Sequence, residues 1–120
     1  MGQRIVDGAL DQGDTAGAQT IQLCSYTLPD NCAGRIQAFI TARDVSDPLA
    51  SGLLIRVNRF GRATGNASFG TAANLFVDVA AALSGIAVTF AQTAGVIRVD
   101  CTGLAGKTIH WQVRIEIDAN

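Results

Sequence analysis

The sequence contains few of the side chains on which catalysis and metal binding depend. It has a single histidine, His110, and it lacks a nucleophile motif, a glycine-rich phosphate loop and metal-ligand spacing. A general base needs a nearby nucleophile and an orienting group, and the sequence places neither beside His110. We therefore predict that this protein is not an enzyme, with no catalytic residues, no cofactor and no metal.

Charge is also sparse. Charged residues make up 16% of the 120 residues, against about 25% in a typical soluble domain, and the net charge is −1. Nucleic acids and anionic membranes attract clustered basic fields, so neither is predicted as a partner. The densest basic group has only three members, Arg56, Arg59 and Arg62, and fits a protein interface better. A weakly charged surface suits a protein that covers part of itself by association.

Secretion and membrane signals are missing as well. The first residues contain no apolar segment of a signal peptide, and the most apolar stretch, 75–88, is short and interrupted. The three cysteines, Cys24, Cys32 and Cys101, have no metal-site spacing and their number is odd. We expect reduced thiols in a protein made in a cytoplasm.

Residues 1–18 differ in composition from the rest of the chain. They are rich in Gly, Asp, Gln and Ala and show no sustained period, and Gly8 and Gly13 would weaken a helix or a strand. Two interpretations stay open, a frayed terminus or a flexible arm that becomes ordered on a neighbouring subunit. The apolar residues that such an arm would bury are Ile5, Val6 and Leu10.

Residues 19–120 read as short alternating segments separated by Gly, Asn, Asp and Pro turns. This pattern predicts an all-β fold, an antiparallel β-sandwich or a jelly-roll-like barrel. The clearest strand is 108–118, where apolar residues from Ile109 to Ile117, including Trp111, alternate with polar ones. Residues 68–83 fit a strand or a helix, and we favour a strand around 75–77 followed by a helical turn or loop. In the strand 53–62, we expect Arg56 and Arg62 to be exposed on one face.

Three stretches carry a resemblance to a known family. They are residues 25–31 (SYTLPDN), 54–61 (LIRVNRFG) and 99–111 (VDCTGLAGKTIHW). Together they resemble the small β-rich domain of structural proteins from tailed bacteriophages and prophages, found in tail or fibre proteins and on capsid surfaces. The resemblance covers about residues 19–117. Its motifs are strand ends and turns, and the Ala-rich stretch 71–83 departs from the pattern.

The resemblance implies a virion protein made in the cytoplasm of a host bacterium. The chain begins with Met and reads as one domain with a short arm, which favours a small capsid decoration (cement) protein on the capsid surface. Its partners would be the major capsid protein and further copies of itself, a trimer being the expected homo-oligomer. The residues expected at these interfaces are Ile5, Val6, Leu10, Arg56 and Arg62. The alternative is a receptor-binding or tail-tip module of a tail or fibre, with a glycan or surface-protein ligand.

Overall fold

A computed structural model describes residues 3–120, which form nine β-strands and one turn of 3-10 helix at Ala81–Leu83. The strands are β1 (Gln3–Ala16), β2 (Thr20–Thr27), β3 (Cys32–Asp44), β4 (Asp47–Arg62), β5 (Ala67–Phe69), β6 (Ala73–Val79), β7 (Ala87–Thr93), β8 (Val96–Thr102) and β9 (Thr108–Ala119). The predicted all-β, sandwich-like fold is confirmed. None of the helical structure in residues 3–120 has the length and apolar character of a membrane span.

All strand pairs are antiparallel and fall into two sheets. The large sheet has the order β1-β9-β3-β4, and both β5 and β6 pair with the remaining edge of β4, at different points along it. The small sheet has the order β2-β8-β7. Strand β1 therefore forms one edge of the large sheet, and β5 and β6 together form the other.

The core lies between the two sheets and is centred on β9. Its inward residues are 0–1% exposed, as the alternation in the sequence predicted, and they pack against buried residues of β3 and β8. Trp111 is 0% exposed, which confirms its predicted place in the core. Its indole Nε1 donates a hydrogen bond to the Thr15 hydroxyl at 3.0 Å, so the one polar atom of the ring is satisfied.

Residues 3–16, expected to belong to a flexible arm, instead form strand β1 along the full length of β9. The sequence did not reveal this strand because two register shifts, at Ile5 and at Gly8, interrupt the alternation of inward and outward residues. Gly8 has a φ of +74°, a conformation that suits glycine. Its inward positions also include Asp11, which accepts a hydrogen bond from the backbone of Cys24 at 3.1 Å. Met1 and Gly2, the first two residues of the expected arm, lie outside the described residues.

The face of β4 that carries Arg56 and Arg62 was expected to be exposed, but it is the face that points towards the core. Phe60 and Asn58 are buried, and Arg56 and Arg62 share their inward side. Apolar residues occupy both faces of this strand, so its sequence did not indicate which face would pack on the core. The predictions for residues 68–83 are confirmed, since β6 spans the favoured strand and the 3-10 turn follows it.

Gly34 in β3 offers a test of the pairing between β3 and β9. A Cβ atom at this position would stand 1.8 Å from the carbonyl oxygen of Asp118, so Gly34→Ala must push the two strands apart. We expect a loss of about 1–3 kcal/mol in the free energy of unfolding, measured by denaturant titration. Gly61→Ala is the matched control, because nothing lies within 4 Å of the point that its Cβ would occupy. The control should change stability by about 0.5 kcal/mol or less. Equal losses in the two variants would contradict the register.

Thr15 tests whether β1 completes the core. Thr15→Val removes the acceptor of the Trp111 indole and leaves a buried donor unsatisfied, so we expect about 1–3 kcal/mol of destabilisation. Thr15→Ser keeps the hydroxyl and serves as the control. Unfolding can be followed by the fluorescence of Trp111, the sole tryptophan. A Thr15→Val variant as stable as Thr15→Ser would mean that this hydrogen bond does not form.

Candidate binding face on the large sheet

The outer face of the large sheet is turned away from the core. Its side chains form rows that run across the strands, and we call each row a rank. Residues directly opposite each other in an antiparallel sheet point to the same side, so the registers of five strands align their outward residues. The middle rank, which we call the apolar rank, reads from β1 to β6: Leu10, Arg114, Phe39, Ile55 and Phe76.

The apolar rank places hydrophobic surface in solvent. Leu10 is 64% exposed and Phe76 is 47% exposed, at the two ends of the rank. In the middle, the guanidinium of Arg114 stacks over the Phe39 ring, 4.2 Å from its centroid, a cation–π arrangement. Phe39 points outward on a strand whose other outward residues, such as Gln37 and Thr41, are polar, and the guanidinium of Arg114 covers its ring. Exposed apolar residues gathered on one sheet face, here interrupted by a single arginine, are typical of an interaction surface.

A cleft of about 660 Å³ opens beside the apolar rank, on the same face. Its volume lies within the range of about 300–1,000 Å³ that is usual for ligand sites. Leu53, 40% exposed, is its most prominent apolar residue. The polar side chains that line it are Thr41, Arg43, Ser51, Asp78, His110 and Gln112. Arg43 forms no ion pair within residues 3–120, so its five donors are free for a ligand.

His110 has a carboxylate partner that sequence reasoning missed. Asp14 on β1 stands opposite His110 on β9, and its Oδ1 lies 2.5 Å from the His110 Nδ1. The pair fixes the orientation of the ring and leaves the Nε2 atom available at the cleft. The two residues are 96 positions apart, so no local signal connected them. Within residues 3–120, no hydroxyl or thiol is hydrogen-bonded to His110, so the arrangement lacks a nucleophile next to the base.

At the other end of the same face, charged residues form a compact network. The Asp118 carboxylate lies 2.5 Å from the Arg4 Nε and 3.1 Å from the Arg35 Nη2. The hydrogen bonds from these two guanidiniums hold the pKa of Asp118 below its usual range. The polar end and the apolar rank therefore divide the outer face into two regions.

The five residues expected at interfaces are placed very differently. Leu10 lies on the outer face and is largely exposed, whereas Val6 is 9% exposed and belongs to the core. Ile5 is partly buried against that core. Arg56 is half-buried on the inward side of β4 and donates from Nη1 to the Asn74 Oδ1 at 2.6 Å. Whether any of them contacts another protein stays a prediction.

Arg62 serves the chain's own fold, a role that its place in the sequence did not indicate. Its side chain is 12% exposed and donates hydrogen bonds to backbone carbonyls in three separate turns. The acceptors are Leu28, Gly65 and Ala94. Arg62 thus ties the turn after β2 to the turns after β4 and β7, which leaves little of it for an external partner.

The three thiols are free, and two of them are deeply buried. Burial raises the pKa of Cys24 to about 11 and that of Cys101 to about 12, so both are poor nucleophiles. Burial also raises the pKa of the half-buried Cys32. In residues 3–120, no three His, Cys, Asp or Glu side chains come close enough together to hold a metal ion.

Comparisons with known proteins give structural similarity without sequence similarity. No family model and no curated protein matches the chain. Among solved structures, it is similar to tailspike gp49 of Acinetobacter baumannii bacteriophage Fri1, a capsular polysaccharide depolymerase, with a TM-score of 0.46 and 11% identity. It is also similar to the tailspike of Acinetobacter baumannii phage AM24, with a TM-score of 0.44 and 10% identity. The matches cover 89% and 93% of this chain but 17% and 26% of the tailspike chains.

The charged network predicts a component of acid sensitivity. The pKa of Asp118 is lower in the folded state than in the unfolded state, where it is about 4. The ionised carboxylate therefore contributes fully to the stability of the fold above the unfolded pKa, and this contribution is lost as the pH falls through the folded pKa. We expect Asp118→Asn to be less stable than the parent at neutral pH, and the difference to shrink towards about pH 2. Urea unfolding at a series of pH values measures it. A difference that does not depend on pH would show that the Asp118 charge is not involved.

Proposed function

We propose that this chain is a binding domain of a bacteriophage structural protein, of the tail or fibre type, which attaches to its target through the outer face of the large sheet. The observation that carries the proposal is the apolar rank, with exposed Leu10 and Phe76 at its ends, beside a polar cleft. The assignment to a phage particle follows the resemblance of residues 25–31, 54–61 and 99–111. The target would be a glycan or a protein on the surface of the host bacterium.

Binding explains this face better than catalysis does. His110 and Asp14 would supply a base and its orienting carboxylate, but the base has no nucleophile hydrogen-bonded to it within residues 3–120. The other cleft residues, among them Arg43 and Gln112, offer hydrogen bonds to a polar ligand, while Leu53 offers an apolar contact. Together they suit recognition by shape and hydrogen bonding.

Capsid decoration is the second candidate. It is favoured by exposed leucines at three separate places, Leu10 on β1, Leu49 at the β3–β4 hairpin and Leu75 on β6, because a cement protein joins several neighbours at once. Two of the contact residues expected for decoration, Val6 and Arg62, are however used within the chain's own fold. The tail or fibre function, which needs one exposed binding face, therefore ranks first.

Copy number in the phage particle separates these candidates. Quantitative mass spectrometry of purified particles should find far fewer copies of this chain than of the major capsid protein if it belongs to the tail. Comparable copy numbers would overturn the tail assignment in favour of decoration. Absence of the chain from the particle would overturn the virion proposal itself.

Variants of the binding face test its use directly. Leu53→Lys adds a charge to the lining of the cleft at a position that is 40% exposed and points away from the core, so it should spare the fold. We expect attachment of the purified protein to host cells to weaken about tenfold or more. Gln22→Lys adds the same charge to an exposed position of the small sheet and is the control. Equal attachment by the two variants would contradict the proposed face.

A further inference from the structure

The two edges of the large sheet differ in how they are protected. Strand β1 carries two bulges and several charged residues, devices that prevent edge-to-edge pairing of strands. Strand β6 has a single charge, Asp78, and its Leu75 and Val77 are 58% and 50% exposed. One edge of β6 pairs with β4, and no strand within residues 3–120 pairs with the other, which we call the open edge. An apolar open edge of this kind is a surface for pairing with another strand.

A slot of about 700 Å³ separates β6 from β7, the nearest edge of the small sheet. Its walls include Leu54 and Val77 from the large sheet, Val88 from the small one and Ile86 just before β7. Val77 is 50% exposed and Ile86 is partly buried, whereas Leu54 and Val88 belong to the buried core.

Arg56 lines the same slot without a counter-ion. Its Nη1 is bonded to the neutral amide of Asn74, and its Nε is buried with no hydrogen-bond partner in residues 3–120. No carboxylate in that range forms an ion pair with it. A half-buried cation is costly when it is unpaired, so the slot is suited to an occupant that brings a carboxylate.

The chain itself carries such an occupant. Strand β6 is an apolar segment with one carboxylate, and Asp78, at the lip of the slot, has no hydrogen-bond or ion-pair partner in residues 3–120. We propose that the slot between β6 and β7 receives strand β6 of a second copy of this chain, with Asp78 of that copy pairing with Arg56. The contact covers Leu75 and Val77 and supplies the missing counter-ion. Asp78 also lines the cleft on the outer face, so this contact and the proposed binding face share that residue.

Charge exchange tests this association. The parent chain should be larger than its monomer mass of 12.5 kDa by light scattering and sedimentation. Arg56→Asp and Asp78→Arg should each weaken the association about tenfold or more, because each variant places like charges together. The double variant that carries both substitutions should recover most of it, since the pair is reformed with its signs reversed.

The matched control is Arg59→Asp. Arg59 lies on the same strand, is exposed on the outer face and also lacks an ion-pair partner in residues 3–120. Its substitution should leave the association unchanged. A parent chain that stays monomeric at its highest soluble concentration would overturn the proposal. So would single variants that associate like the parent, or a double variant no better than either.

Measurements of stability show whether a variant that associates weakly is still folded. Arg56→Met removes the uncompensated charge and keeps the apolar stem, so we expect an unchanged or higher melting temperature for the monomer together with weaker association. A fall of several degrees would assign Arg56 a structural role within the chain and overturn its role as the receiving cation. If Arg56→Asp does not fold, Arg56→Met and Asp78→Asn replace the single reversals.

Discussion

Strand β9 is the constraint on which the rest of the structure depends. It pairs with β1 on one edge and with β3 on the other, and its inward residues from Ile109 to Ile117 are 0–1% exposed. The pleat of a strand sends alternate side chains to opposite faces, so the same register that fills the core also sets the outer face. His110, Gln112 and Arg114 belong to consecutive ranks of the outer face for this reason. A change in the pairing of β9 would disturb the core and the binding face together.

The strands whose two faces differ in polarity were predictable from the sequence. In β9 and in β3, from Ile36 to Ala42, regular alternation indicated both the strand and its buried face. Strand β1 was not predictable, since two bulges and the small or polar residues on its inward side erase the period of two. The faces of β4 were assigned the wrong way round because apolar residues occur on both, and only packing against the neighbouring strands decides between them.

The candidate site was harder to predict than the fold. Leu10 was identified as a contact residue, although as part of an arm rather than of a sheet. The pairs that shape the outer face, Asp14 with His110 and Arg114 with Phe39, join residues far apart in the sequence. Such pairs follow from the order of strands in the sheet, which a single sequence does not contain. Arg62 was misjudged for the same reason, because its three acceptors lie in turns that only the tertiary structure brings together.

The two proposals concern different parts of the surface. The strands of the large sheet are held together through β9, which suits the proposed recognition of a target by the shape of the outer face. The open edge at β6 and the adjoining slot suit association between copies. Both surfaces contain exposed apolar residues. This agrees with the composition of the chain, which has 16% charged residues and a net charge of −1, so that little charge repulsion opposes association.

Hydrogen–deuterium exchange resolved to single amides tests the central role of β9 most directly. Both of its edges are paired, so we predict that the amides from Ile109 to Ile117 exchange only through global unfolding and are the slowest in the protein. In the monomer, the amides on the unpaired edge of β6 should exchange much faster. Exchange in β9 as fast as in β6 would contradict a sandwich built around that strand, and with it the ranks of the outer face.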